Sequence, residues 1–259
     1  MLETLLVCKG HPYEREPFYA MFDGMADVNW TLVEQPAARA LFSTEQAQPY
    51  DAFVMYDMPG IQFDPRPGEP PIFEMPSERY KERFLSLLES GQGMVFLHHA
   101  IAGWPAWPEY AEIIGGRFLY SPTKLRGDNR PDSGYRHAVT HTISAAAPHP
   151  ILQGVPEQFQ ITDELYLFEV FDDSVEPLLV SDYTFESKNF YSATAAVEQG
   201  KMFSNEGWSH PAGSNLIGWT KTYGGSRIVY LQCGDDPVAY ANPHLQTLIR
   251  NAIAWVSHK

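Results

Sequence analysis

The chain has 259 residues, 44% of them hydrophobic and 19% charged, enough to bury a sizeable core in one large α/β domain or two small ones. Its formal net charge of -14 repels phosphate backbones and argues against nucleic-acid binding. No stretch approaches the roughly 20 apolar residues of a membrane span, and Met1-Leu2-Glu3-Thr4 lacks a basic leader, so no membrane association and a soluble cytoplasmic protein are expected.

Thr4 to Cys8 reads as a first strand, ending in the loop Lys9-Gly10-His11-Pro12. A helix is predicted over Pro17 to Met25, with proline near its start, followed by a strand over Asn29 to Val33. Ala52 to Tyr56 is a third strand, ending in Asp57-Met58-Pro59-Gly60. The segment from Phe63 to Pro76, with Pro65, Pro67, Pro70, Pro71 and Pro76, is expected to be irregular. Ser77 to Ser90 reads as a helix, because Tyr80, Phe84, Leu87 and Leu88 share one face; Gly91 is its C-cap candidate. The run Met94-Val95-Phe96-Leu97 has the length and apolarity of a buried parallel strand and leads into His98-His99.

A short helix is predicted over Trp107 to Ile114, closed by Gly115-Gly116. Tyr135 to Thr142, Ile161 to Val170 and Pro177 to Ser181 read as strands, whereas 183–213 reads as polar and irregular. Leu216 to Thr222 and Arg227 to Gln232 form a predicted hairpin through Gly224-Gly225. Asn242 and Pro243 start a last helix whose face is Leu245, Leu248, Ile249, Ala252 and Ile253. No linker or repeat interrupts this order. The expectation is a single α/β domain over 1–259, a mostly parallel sheet with helices on both faces and an antiparallel insertion.

Ligands of such sheets bind beyond the carboxyl ends of the strands, which selects the candidate residues. His98 and His99 come first as catalytic groups; adjacent residues leaving a strand point to different sides, which favours one of them, and His98 stands at the elbow. Asp163 and Glu164 interrupt an apolar run, and a carboxylate buried there needs a partner or a cation; a cap or an edge-strand salt bridge is the other reading. Asp235 follows a strand and would complete a His98, Glu164 and Asp235 set suited to Zn²⁺ or Mn²⁺, against an Asx turn before Pro237. His11, Tyr13 and Asp57 share that edge, and His210 lies in the irregular region where it can reach over the site. Trp104, Trp107 and Trp208 can stack on a sugar face or pack in the core. His137 and His141 alternate along one strand and share one face, read as solvated with a ligand pair as the alternative; His149 reads as a turn, and His244 and His258 as surface positions. Cys8 and Cys233 lie in predicted strands, outside any CxxC pair, and read as buried inert thiols.

The order of these motifs resembles the ThuA-like family, named for trehalose utilisation, within the class I glutamine amidotransferase-like superfamily. The resemblance covers nearly the whole chain. It rests on Gly93-Met-Val-Phe-Leu-His-His-Ala100, Trp107-Pro-Glu-Tyr110, Gly115-Gly-Arg-Phe118, His149-Pro-Ile151, Thr162-Asp-Glu-Leu-Tyr166, Gly224-Gly-Ser-Arg-Ile-Val-Tyr230 and Ala254-Trp255. It implies a flavodoxin-like three-layer sandwich. Amidotransferases of the superfamily hold a catalytic cysteine where this chain has His98, so no glutamine amidotransferase activity is expected. The late-strand Gly-His pair usual in ThuA-like proteins is Gly234-Asp235 here. The family resemblance further implies carbohydrate catabolism through 3-keto sugars: cleavage or isomerisation of a keto-sugar or keto-glycoside by His/carboxylate acid–base chemistry, with a divalent metal and no nucleotide cofactor. The alternative is a non-catalytic sugar-binding or partner protein of a sugar dehydrogenase. A homodimer is the default expectation.

Overall fold

The computed structural model describes residues 1–63 and 69–257. Prolines 65 and 67 of the predicted irregular segment and His258 lie outside the described residues. Ten strands form one mixed sheet: β1 Leu2–Lys9, β2 Val28–Glu34, β3 Ala52–Asp57, β4 Gly93–Leu97, β5 Gly134–Ala145, β6 Gln158–Leu167, β7 Glu176–Ser181, β8 Tyr191–Ser192, β9 Leu216–Tyr223 and β10 Ser226–Leu231. Their order is β6-β5-β7-β9-β10-β4-β3-β1-β2, with β8 paired to β5. The strands β2, β1, β3, β4 and β10 run parallel to one another, and β9, β7, β5 and β6 extend the sheet by antiparallel pairing.

Successive residues of the parallel strands feed two cores, one on each face of the sheet. Leu6, Cys8, Val54, Tyr56, Val95 and Leu97 face α1 (Arg15–Asp23) and the C-terminal helix Pro243–Ser257. Leu5, Val7, Phe53, Met55, Met94 and Phe96 face the helices Glu78–Glu89 and Pro108–Ile114. Coverage on both faces explains why these strands are apolar throughout rather than alternating. Helix starts follow the sequence signals. Ser77 Oγ accepts from Tyr80 N at 3.3 Å, and Asn242 Oδ1 accepts from His244 N at 3.0 Å.

Several short elements depart from the expectations. Ile72–Phe73, in the segment read as irregular, pairs with Ile61–Gln62 just before it, and Thr123–Leu125 pairs with Asp128–Arg130 in a further small hairpin. Within 183–213, Ala193–Val197 is helical, its first turn capped by Ser192 Oγ, which accepts from Ala195 N at 3.0 Å.

The ribbon β5–β6 positions the site. It joins β7 through Ile143 to Ala145 on Leu179 to Ser181, at one end, while its other end pairs only with the two-residue β8 among the described residues. β6 is five strand positions from β4, about 24 Å across a flat sheet at ~4.8 Å per strand. Glu164 on β6 nevertheless lies 3.1 Å from His98 at the end of β4. The ribbon therefore curls back over the carboxyl ends of the parallel strands.

Candidate functional site

His98 leaves β4 at φ 45°, a left-handed conformation costly for a residue with a Cβ, and its side chain is completely buried. Its Nδ1 lies 2.6 Å from the carbonyl of Gln232. A carbonyl only accepts, so Nδ1 carries the proton and Nε2 is directed at the other side. There it meets Glu164 Oε2 at 3.1 Å, Asp235 Oδ1 at 3.3 Å and the Tyr166 hydroxyl at 2.8 Å. The Tyr166 ring stacks on the imidazole with centroids 4.7 Å apart.

Asp235 is held by its loop. Gly234 has φ 123°, which glycine alone adopts readily, and this turns two successive N–H groups toward Asp163. Asp163 Oδ2 accepts from Gly234 N at 2.6 Å, and its Oδ1 accepts from Asp235 N at 3.1 Å and Glu164 N at 2.9 Å. Asp163 thus positions both acidic residues of the cluster from behind. Burial pushes its carboxyl up to about 7, against the pull of His98 and of the N–H donors on Gly234 and Asp235. The Tyr240 hydroxyl donates to the Asp235 carbonyl at 2.7 Å, fixing the same loop.

His137 is the site residue that alternation concealed. Strand β5 carries a bulge between Arg136, opposite Leu165, and Val139, opposite Asp163, so that His137 and Ala138 together face Glu164. The extra residue breaks the shared face expected for the two histidines. His137 Nδ1 lies 3.2 Å from Glu164 Oε1 and 3.9 Å from Asp235 Oδ2, whereas His141 is buried with its Nδ1 2.8 Å from Ser181 Oγ. Ala138 takes φ 54°. Ala138→Gly is expected to raise stability by up to about 1 kcal/mol and Ala138→Val to lower it. Thermal unfolding measures both, and a more stable valine variant would contradict the strain.

The charges sort by position. Burial disfavours the charged form of His98, but hydrogen bonds with Asp235 and Glu164 outweigh it and hold the imidazole well above its usual range. Burial would raise Asp235, yet His137 and His98 hold it well below the usual carboxylate range. Hydrogen bonding to Asp235 raises His137. Burial, reinforced by the neighbouring His98, lowers His11; burial with His11 and His98 beside it lowers His99 further. One side of the cluster is thus an ion-paired His/carboxylate group and the other a neutral imidazole pair.

A cleft of about 290 Å³ opens on this cluster, lined at its polar end by His11, His137 and Glu164. His99 turns away from the carboxylates. Its Nε2 lies 3.1 Å from the Tyr56 carbonyl and its ring packs between Tyr56 and His11. Tyr13 packs edge-on against Tyr56 and Phe18, and its hydroxyl is 3.5 Å from that of Tyr19. Asp57 is fully buried, accepting from Gln35 Nε2 at 2.8 Å. Trp104 and Trp107 are core residues packed with Tyr80, and Trp208 donates to Asp132 Oδ1 at 2.9 Å. His210 is buried, 3.8 Å from Glu169 and within hydrogen-bond distance of the Pro211 carbonyl. None of these seven residues lines the cleft. Cys8 and Cys233 are buried, and burial pushes both thiols up, so neither stands as a thiolate at the elbow.

One donor atom each from His98, Glu164 and Asp235 lie within 4.8 Å of one another. Ligands at roughly 2.0–2.2 Å from a tetrahedral Zn²⁺ stand about 3.3–3.5 Å apart, close to the 3.1 and 3.3 Å separations from His98 Nε2. The Gln232 carbonyl holds the second ring nitrogen, as an outer partner of a metal-bound histidine does. The donor set and its support fit a divalent cation. No helix among the described residues is long and apolar enough to cross a membrane.

The family model for ThuA, described as trehalose utilisation, matches residues 10–256. No curated protein matches the chain. Among solved structures, a ThuA-like protein from Parabacteroides merdae superposes with a TM-score of 0.65 at 17% identity, covering 99% of this chain and 90% of that one. A ThuA-like protein from Bacteroides uniformis gives 0.62 at 16% identity, with 98% and 91% covered. A protein from Salmonella typhimurium described as cytoplasmic gives 0.59 at 10% identity, with 98% and 99% covered. At such identities these structures show the shared fold.

Proposed function

This chain belongs to the ThuA family of trehalose utilisation, a carbohydrate-utilisation family, and from that premise we propose that its cleft binds a keto-sugar or keto-glycoside and cleaves or isomerises it by acid–base chemistry. The observation behind this reading is the convergence of His98, Glu164, Asp235 and His137 at the carboxyl edge of the parallel strands, with Glu164 and His137 lining the cleft and His98 and Asp235 behind them.

A ketone acidifies the neighbouring C–H. Glu164, facing the cleft, accepts that proton, and the electron pair forms a C=C bond as the glycosidic C–O bond breaks. His137, in its protonated form, donates to the departing oxygen, and water then adds across the double bond to complete net hydrolysis. Without a leaving group, the electron pair moves onto the ketone oxygen, which is protonated to an enediol; return of the proton to the former carbonyl carbon, with loss of the proton from the neighbouring hydroxyl, moves the ketone by one carbon. His98 and Asp163 hold the acidic groups in place. His98 Nε2, Glu164 Oε2 and Asp235 Oδ1 would hold a divalent cation, Zn²⁺ or Mn²⁺, which when bound polarises the substrate carbonyl.

Incubation with 3-keto-glucosides in D₂O, followed by NMR, tests the proton abstraction. Deuterium is expected at the carbon beside the ketone, together with released aglycone, and metal-depleted protein reloaded with Zn²⁺ or Mn²⁺ shows whether the ion contributes. Binding with neither exchange nor product would remove the enzyme reading in favour of a sugar-binding partner of a dehydrogenase.

A further inference from the structure

The cleft is chemically one-sided. Its polar groups, His11, His137 and Glu164, belong to one cluster, while Phe63, Phe118, Val197 and Met202 are among its apolar walls. Three tyrosines also line it, but their hydroxyls are engaged. Tyr120 donates to Met58 Sδ at 3.0 Å, Tyr135 accepts from Phe203 N at 3.0 Å, and Tyr166 meets His98 at 2.8 Å. These residues therefore present ring carbon to a ligand rather than free hydrogen-bonding groups. At the polar end, by contrast, the His11 ring lines the cleft, and its Nδ1 is buried without a hydrogen-bond partner among the described residues. The mouth is apolar as well: Phe63, Met202 and Phe203 are each about half exposed, at 48, 55 and 57%.

A disaccharide carries hydroxyls along both rings, and those placed against the aromatic walls would lose water without gaining partners. A ligand with one sugar ring and one apolar ring matches both ends. We propose that the cleft is built for a glycoside or keto-glycoside with an aromatic or similarly apolar aglycone, the sugar at the His11, His137 and Glu164 end and the aglycone between Tyr120, Tyr135 and Met202. This rests on the reading that the cleft takes a sugar and narrows the class of sugar. Flat rings gain from offset or edge-on contact with aromatic walls, and methionine adapts to varied ring shapes.

Calorimetric titration of the whole protein with 4-nitrophenyl glucosides, methyl glucosides, trehalose and 4-nitrophenol tests it. The 4-nitrophenyl glucosides are expected to bind at least about tenfold more tightly than the methyl glucosides or trehalose, the range in which apolar pockets discriminate. Free 4-nitrophenol should compete with them. The double variant Phe63→Ser and Met202→Ser, at exposed positions, should weaken only the aryl compounds. Equal affinity for aryl and methyl glucosides, or tighter trehalose binding, would overturn the aglycone site while leaving the sugar reading intact. Binding of none of these compounds would overturn the aglycone site, and failure of 3-keto-glucosides to bind as well would overturn the sugar reading.

Discussion

His98→Ala is expected to lower turnover of a keto-glycoside by about 10²-fold, through misplaced acidic groups, and to weaken divalent-metal binding, whereas His99→Asn costs stability and leaves the chemistry nearly intact. The two residues are neighbours in sequence and opposites in space. His98 Nε2 meets Glu164 and Asp235, and its loss leaves two carboxylates facing each other without a cation. His99 instead bonds the Tyr56 carbonyl and packs against Tyr56 and His11, a role asparagine fulfils in part. Elemental mass spectrometry, turnover and thermal unfolding on both variants separate these effects. Equal losses of activity in two folded variants would show that the elbow does not divide its histidines as the geometry says.

Asp57→Asn is expected to stabilise the protein above pH 7 by as much as about 4 kcal/mol and to have little effect near pH 4. Complete burial pushes the Asp57 carboxyl up to about 7, against the pull of the Gln35 amide and of its own backbone N–H, and its Oδ1 has no partner among the described residues. The sign follows from linkage. The unfolded chain loses this proton near its ordinary value of 3.8, while the folded protein holds it to about 7. Between these values the native state binds more protons, so stability falls as pH rises, and above about 7 the whole penalty is present. Asparagine keeps an oxygen for Gln35 and cannot ionise. The check is melting temperature against pH for both proteins: a difference that grows from acid to alkaline pH is expected, and a constant one would place the cause elsewhere.

The parallel half of the sheet was legible because its strands are apolar throughout and its helices carry stripes at helical spacing with strong caps at Ser77 and Asn242. Among the candidate site residues, the set His98, Glu164 and Asp235 came from chemistry and from the strand-end rule, and the fold brings those three together. Other residues at the same edge were indistinguishable by sequence. Asp57, the last residue of β3, and Trp104 and Trp107, beyond β4, are buried, and Tyr13 packs half-buried against a core, a matter of rotamers and packing rather than of position. His137 escaped because strict alternation paired it with His141. An Ala at positive φ leaves no mark in a sequence, where a Gly would have signalled the bulge. The helix at Ala193–Val197 is one turn long and held by tertiary contacts, so periodicity had nothing to register.

The curled ribbon has a kinetic meaning. His98, Glu164 and Asp235 are separated by 66 and 71 residues of chain, and the ribbon bearing Glu164 is joined to β7 at one end. Loop closure over such separations is expected to follow the local helices and the pairing of β1 with β2 and β3 and of β3 with β4, which close shorter stretches of chain. The cluster at His98 is thus a reporter of completed folding, and a refolding chain can recover most of its helix signal before it has any site at all.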